Sequence, residues 1–376
     1  MPAVWFCVLA LMLTAYAVLD GFDFGAGVVH LFVARTDAER QRILATIGPL
    51  WDGNEVWLIA SGGLFFFAFP RAYAAAFAGL YLPLMIVLWL LVLRGIAIKV
   101  RSMLENPLWR AAWDATFAFA SASLAIVLGV ALGNIVRGLP LDESGYFQED
   151  LFASSRGAHA GAIDPFTGVF GALALVVLAA HGATFLAWKT TGDLGRRSRK
   201  TARWLWSLSL ALGALATFVT AIAEPLFFRR IVQRPWLWSL PLSAFASAMV
   251  AILSTSSFRP RSGAAGDVPS SFRPPVVDHK EEACSERREL RAFLASCGFI
   301  ASMLLATAGA LYPTILRSTV NAAFTLDVVN AASARSGLVA GLLLLGPALV
   351  VAVAYFAYLF RIFRGKTEGH DPHYGE

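Results

Sequence analysis

Two short segments place carboxyl groups inside stretches that are otherwise strongly apolar. Asp20 and Asp23 lie within the first long apolar run, and Asp52 and Glu55 lie at the start of the second. Each pair is three residues apart, so its members share one face of a helix. A carboxyl group inside a membrane is costly and is a candidate for proton or ion transfer. Burial favours its protonated form, which suits a group that takes up and releases protons.

Both pairs also have a structural interpretation, which the sequence leaves open. The first pair could lie at the membrane boundary, where carboxylates cost little. The second pair, together with Asn54, could serve an ordinary helix N-terminus, which favours acidic and amide side chains. The first segment also contains three glycines, which allow close approach between helix backbones in lipid: Gly21, Gly25 and Gly27.

Basic and aromatic residues accompany these acids. Arg94, near the end of the third apolar run, could pair with the acids or extend to the membrane surface. The four acids are candidates for a site that takes up and releases protons. Five further residues near them or in the following basic loop are Trp51, Asn54, Trp57, Arg94 and Arg101.

Long apolar segments must position these residues. The chain has 376 residues, of which 57% are hydrophobic and only 15% are charged, whereas soluble proteins have about 25% charged residues. Runs of about 20 apolar residues cross a bilayer as helices. We therefore predict an all-α, polytopic membrane protein with nine spans, at about 4–33, 51–70, 73–94, 115–136, 165–188, 204–224, 236–255, 293–316 and 335–361.

Lysine and arginine in the loops predict the orientation. The loops at 94–110 and 189–203 are basic and should be cytoplasmic, whereas the loop at 137–164 is acidic and should be outside. The N-terminus is then outside and the C-terminus cytoplasmic. Arg229, Arg230 and Arg234 conflict with this scheme, because they fall in a loop that it places outside.

The chain is predicted to form a single membrane domain, 1–376. The segment 256–291 is rich in Ser, Pro, Arg and Glu, and it predicts a polar cytoplasmic linker between the seventh and eighth spans. The segment 365–376 predicts a polar tail.

Composition excludes several kinds of site. The three cysteines include no CxxC pair, which argues against a thiolate zinc site or a cysteine-bound cluster. Only His30 and His181 of the six histidines lie in or near a span, so we expect no haem on this chain. The net charge of +6 reflects loop residues that set topology, and we expect no nucleic-acid partner.

Two motifs of the chain are especially distinctive: Asp20-Gly21-Phe22-Asp23-Phe24-Gly25 and Trp51-Asp52-Gly53-Asn54-Glu55-Val56-Trp57-Leu58. Shorter motifs follow along the chain: Tyr73-Ala74-Ala75-Ala76-Phe77, Arg101-Ser102, Trp113-Asp114, Gly133-Asn134, Gly182-Ala183-Thr184, Tyr312-Pro313 and Asn321-Ala322. In this order, and along essentially the whole chain, these motifs resemble the subunit II family of cytochrome bd-type quinol oxidases.

The resemblance implies nine helices in two four-helix bundles plus one peripheral helix, in a bacterial cytoplasmic (inner) membrane. It implies a respiratory complex in which a partner, subunit I, carries haems b and d and oxidises quinol while reducing O2 to water. Asp52 would belong to a proton pathway along the subunit interface, with Glu55, Asp23 and Asp20 as further members, although Asp20 and Asp23 could instead be structural. Interface or structural roles would fall to Trp51, Asn54, Trp57, Arg94 and Arg101. Glu55 stands where some members have Gln. The short loops at 137–164 and 225–235 resemble the cyanide-insensitive branch.

The resemblance leaves open whether a structural quinone sits on this chain and whether a small third subunit joins. An alternative from the residues alone is a secondary transporter with intramembrane carboxylates. Such a transporter would be colourless and active by itself, whereas an oxidase subunit would co-purify with a coloured haem protein.

Overall fold

Helices form most of the described chain, because a backbone in lipid must satisfy its own hydrogen bonds. A computed structural model describes residues 1–147, 152, 161–256, 279–363 and 365–367. The described residues form twelve α-helices: α1 (Pro2–Val33), α2 (Asp37–Ile47), α3 (Trp51–Ala68), α4 (Pro70–Gly79), α5 (Tyr81–Val100), α6 (Pro107–Arg137), α7 (Pro165–Lys189), α8 (Gly192–Ala223), α9 (Pro225–Gln233), α10 (Ser239–Ser256), α11 (His279–Leu311) and α12 (Arg335–Ile362).

Eight of the helices are long and apolar enough to cross a membrane: α1, α5, α6, α7, α8, α10, α11 and α12. The predicted all-α, polytopic fold is therefore confirmed. The predicted second span is the 18-residue helix α3. Its first two turns contain Asp52, Asn54 and Glu55, which lower its hydropathy below that of the other spans. The ninth crossing stays a prediction.

Several boundaries differ from the sequence prediction. The run at 73–94 is divided, since α4 ends at Gly79 and α5 continues to Val100. The predicted loop at 225–235 is mostly the helix α9. Of the predicted linker, 279–291 belongs to α11, while 257–278 lies outside the described residues. Of the predicted tail, only 365–367 is described.

Two groups of helices pack side by side. The first group contains α1, α3, α5 and α6, and the second contains α7, α8, α10 and α11. Two helices of the first group join them: α6 packs against α7, and α1 packs against α7 and α11. The helix α12 lies at the periphery with most of its side chains exposed. It contacts the first group where the indole of Trp5 donates to the Leu338 carbonyl at 3.0 Å. At its other end, Lys189 donates to the Phe363 carbonyl at 2.5 Å.

The helices α1 and α7 cross with their backbones in contact. A methyl group added at Gly25 would overlap the backbone of Leu178 and Gly182, and one added at Gly182 would overlap the backbone of Ala26. Close approach therefore requires glycine on both helices, as in other helix pairs in lipid. Beside the crossing, His181 lies 2.6 Å from the Ser296 hydroxyl of α11 and donates to the Val18 carbonyl at 3.0 Å.

Two of the three arginines that conflicted with the topology prediction, Arg230 and Arg234, have a structural role. Arg230 donates to the Leu311 carbonyl at 2.9 Å, and Arg234 donates to the carbonyls of Gly309 and Tyr312, both at 3.1 Å. These acceptors lie at or near the C-terminus of α11, where the helix dipole favours positive charge. These two arginines therefore stabilise the end of α11, whichever side of the membrane the loop lies on.

Replacing Gly25 by Ala should destabilise the protein by about 1–3 kcal/mol, the usual cost of overpacking, because the crossing must open. The matched control is Gly62→Ala, where an added methyl group meets no atom within 4 Å. Thermal unfolding of the purified protein in detergent measures the difference. Equal stability of the two variants would contradict the close crossing.

Candidate functional site

A fully buried arginine ties together α1, α3 and α5. The Arg94 side chain has 0% exposure, and its Nη2 donates to Asp20 Oδ1 at 2.8 Å and to Glu55 Oε1 at 2.8 Å. Its guanidinium carbon lies 4.4 Å from the ring centre of Phe24. Removing two unlike charges from water is favourable only when their pairing and hydrogen bonds compensate for lost hydration. The three helices must therefore keep this arrangement.

Asp23 occupies a different environment one turn further along α1. It is also fully buried, and its Oδ2 accepts a hydrogen bond from the Asn54 amide at 2.8 Å. The same amide donates to the Leu19 carbonyl at 3.0 Å, which fixes the orientation of Asn54. No Lys, Arg or His of the described chain forms an ion pair with Asp23. Its partner is a neutral group.

The spacing of the motifs explains this assembly. Asp20 and Asp23 share a face of α1, as predicted, and neighbouring residues of α3 meet them: Asn54 reaches Asp23, and Glu55 reaches Asp20 through Arg94. Both acids of α1 are fully buried in the middle of a long helix. The pair is therefore not solvated, while its depth in the membrane stays a prediction.

Asp52 lies outside the buried cluster. It is exposed in the first turn of α3, and the residue that caps this helix is Leu50, without a side-chain hydrogen bond. Asp52 therefore does not cap the helix, although its charge suits the positive end of the helix dipole. The Glu55 side chain, one turn further, is 23% exposed and lies between Asp52 and the buried acids in depth.

The remaining predicted residues pack around this region. Trp51 is buried, with the Lys99 ammonium 5.7 Å from its ring centre. Trp57 is buried against α12, with its ring 5.7 Å from that of Phe356. Both contacts lie within the chain itself.

Several polar atoms of the cluster have no hydrogen-bond partner within the described chain, although all are buried. Internal water molecules commonly occupy such hydrogen-bonding positions. The atoms belong to residues of the cluster and its immediate helix neighbours: Tyr16 Oη, Asp20 Oδ2, Asp23 Oδ1, Asn54 Oδ1, Trp57 Nε1, and Arg94 Nε and Nη1.

A second charged network joins α2 to the ends of α5 and α6, and sequence reasoning did not identify it. Arg101 Nε donates to the buried Asp114 at 2.5 Å, and Arg101 Nη2 donates to Asp37 at 2.5 Å. Arg40 lies 3.2 Å from Asp114. Arg101 thus joins α2 to α6 through these two ion pairs. The sequence signal for this network is Asp114, an acid beside an apolar run.

The two intramembrane histidines have protein partners. His181 uses both ring nitrogens, as described above. His30 Nδ1 lies 2.7 Å from the Gly27 carbonyl, and His30 Nε2 lies 3.8 Å from Asp114. The described residues contain no group of three or more His, Cys, Asp or Glu side chains able to hold a metal ion. That this chain binds no haem stays a prediction.

These features define a polytopic helical membrane protein that encloses ionisable side chains between its spans. A family model described as cytochrome bd terminal oxidase subunit II matches residues 1–363. The chain belongs to this family.

Relatives agree with the assignment. Cytochrome bd-I ubiquinol oxidase subunit 2 of Escherichia coli (strain K12) is 37% identical over 213 residues, 57% of this chain and 55% of that protein. The match thus spans about half the length of this relative. A probable cytochrome oxidase subunit 2 of Haemophilus influenzae is 27% identical over 98% of this chain and 95% of that protein. A solved chain titled bd oxidase from Geobacillus thermodenitrificans has the same fold, with a TM-score of 0.70 at 19% identity, over 96% of this chain and 98% of that one.

Replacing Arg94 by Gln should lower the stability by about 3–5 kcal/mol, because it leaves buried carboxylates without their cation. The double variant Arg94→Gln/Asp20→Asn should recover part of the loss, since it also removes a negative charge. Thermal unfolding of the purified protein measures both, with the exposed Arg335→Gln as control. A double variant no more stable than Arg94→Gln would argue against the charge pairing.

Proposed function

We propose that this chain is the haem-free subunit II of a bd-type quinol oxidase, and that it supplies part of a path for protons. Family membership and relatives named as ubiquinol oxidase subunits support the assignment. The observation that carries the proton path is the buried cluster of Asp20, Asp23, Glu55 and Arg94. Reduction of O2 to water consumes protons, and buried carboxyl groups transfer protons when water molecules link them.

The depth of the acids suggests the order of transfer. Asp52 is exposed, Glu55 is 23% exposed, and Asp20 and Asp23 are fully buried. Asp52 and Glu55 are one turn apart on α3, about 4.5 Å along its axis. A proton would enter at Asp52, pass Glu55, and reach the acids of α1. The unpartnered atoms Asp20 Oδ2 and Asp23 Oδ1 would bind the water molecules that complete the path.

The balance of charge suggests which acid holds a proton at rest. Arg94 carries one positive charge, whereas Asp20, Asp23 and Glu55 could carry three negative charges in a site shielded from water. Two of these acids contact Arg94, and Asp23 contacts only the Asn54 amide. An unpaired buried carboxylate is strongly unfavourable. We infer that Asp23 is the protonated member and Asp20 the ionised one.

The partners follow from the proposed assignment. Subunit I would bind haems b and d and react with quinol and O2. Its contact surface would include the exposed side of α3, where Asp52 lies, because a bare carboxylate in lipid is costly. The proposed orientation has the N-terminus outside and places Asp52 on the cytoplasmic side. The buried acids would also suit an ion-coupled transporter; the family match favours the oxidase.

The replacement Asp52→Asn should slow quinol-dependent O2 consumption by on the order of 10²-fold, because an amide cannot transfer the proton. The haem spectrum of the purified complex should be retained. Asp52→Glu should preserve much of the rate, and Asp142→Asn, an exposed acid of the loop after α6, should have no effect. Normal turnover of Asp52→Asn would exclude a required protonatable group, and loss of haem would indicate a role in assembly.

Infrared spectroscopy of the purified complex tests the protonation of Asp23. The carbonyl stretch of a protonated carboxyl group should be present in the parent protein, sensitive to deuterium exchange, and lost in Asp23→Asn. Asp52→Asn should retain it, since Asp52 lies outside the buried cluster. Asp23→Glu should shift its frequency, which tests the assignment if the Asn variant does not assemble. An unchanged band in both Asp23 variants would contradict the proposal.

A further inference from the structure

The connection between α8 and α10 has two different faces. It comprises α9 and a short 3₁₀ helix, Pro235–Trp238, and is called here the α9 segment. Its inner face is anchored to the end of α11 by Arg230 and Arg234, as described above. Ile231 and Leu237 are buried on the same side and pack with Ala310. This face is occupied by the protein itself.

The outer face is apolar and aromatic, but it is uncovered. Val232 is 63% exposed and Trp236 is 65% exposed; Leu226 and Trp238 are also exposed. Because α8 ends at Ala223 and α10 begins at Ser239, the segment joins two membrane spans. A connection this short keeps it close to the membrane surface. Tryptophan is enriched at this depth, where its ring contacts lipid and its N–H contacts water.

Arg229 differs from its two basic neighbours. Arg230 and Arg234 donate to the carbonyls of α11, whereas Arg229 is exposed and has no ion pair or hydrogen bond from its side chain within the described chain. A guanidinium group matches the geometry of a phosphate and can donate two parallel hydrogen bonds to it. The anion available beside apolar side chains at a membrane surface is the phosphate of a phospholipid headgroup.

We propose that the α9 segment lies in the plane of the membrane interface as an anchor, with Arg229 binding a phospholipid phosphate. Helices with one apolar and one polar face bind this way, and their affinity combines apolar burial with attraction to anionic lipid. The anchor has a mechanical consequence, since the same segment holds the C-terminus of α11. Lipid bound at Arg229 would fix the depth of α11 along the bilayer normal. This inference does not depend on the oxidase function.

Spin labels test the position of the segment. The purified protein, with any subunits that co-purify, is placed in phospholipid nanodiscs after Cys7, Cys284 and Cys297 are replaced by Ser. A label at Val232→Cys should collide mainly with O2, which concentrates in lipid. A label at Glu143→Cys, an exposed loop position, should collide mainly with a water-soluble nickel complex. Preferential collision of the Val232 label with nickel, or with neither reagent, would overturn the proposal; the latter would mean that protein covers this face.

Native mass spectrometry tests the lipid site. In detergent micelles containing phosphatidylglycerol, Arg229→Gln should reduce bound phosphatidylglycerol about tenfold, as expected for loss of a charged hydrogen bond. Arg229→Lys should retain partial binding, and the exposed Arg335→Gln should have no effect. Unchanged binding in Arg229→Gln, or an equal loss in Arg335→Gln, would overturn the site. So would full competition by inorganic phosphate, which would indicate a site for the free anion.

Discussion

The Arg94 guanidinium, buried between three helices, imposes the main constraint on this structure. A cation without water must keep its carboxylate partners, so α1, α3 and α5 cannot separate without exposing Arg94, Asp20 or Glu55 as unpaired charges. The same pairing leaves Asp23 with a neutral partner. One interaction therefore both holds the first group of helices together and distinguishes the acids chemically.

Close packing supports this charged centre from the opposite side of α1. Lipid supplies little hydrophobic force between helices, so association depends on close contact and hydrogen bonds. The crossing at Gly25 and Gly182 provides the first, and His181, bridging α1 and α11, provides the second. The motif at residues 20–25 contains both acids and glycines because the two faces of α1 make different contacts. Asp20 and Asp23 face α3 and Arg94, whereas Gly25 faces α7.

The ends of the helices are fixed by charge as well. Arg101 joins α2 to Asp114 near the start of α6. Arg230 and Arg234 donate to carbonyls at the C-terminus of α11. Arginine suits such positions because it donates in several directions and stays charged. Inferring topology from the number of basic residues treats every one of them as a free charge. Arg101, Arg230 and Arg234 instead have specific partners in the fold.

The sequence by itself determined the all-α, polytopic fold and the approximate position of eight spans, because about 20 consecutive apolar residues have few alternatives to a membrane helix. It also identified Asp20, Asp23, Glu55 and Arg94, since charge inside apolar runs is conspicuous. Tertiary structure alone decided how they pair, because the contacts join residues far apart in the chain, and local patterns carry no such information. It separated the exposed Asp52 from the buried acids for the same reason. Tertiary structure also showed that most of the predicted loop at 225–235 is the helix α9. This helix has nine residues, so its apolar residues are too few to be recognised as a membrane span.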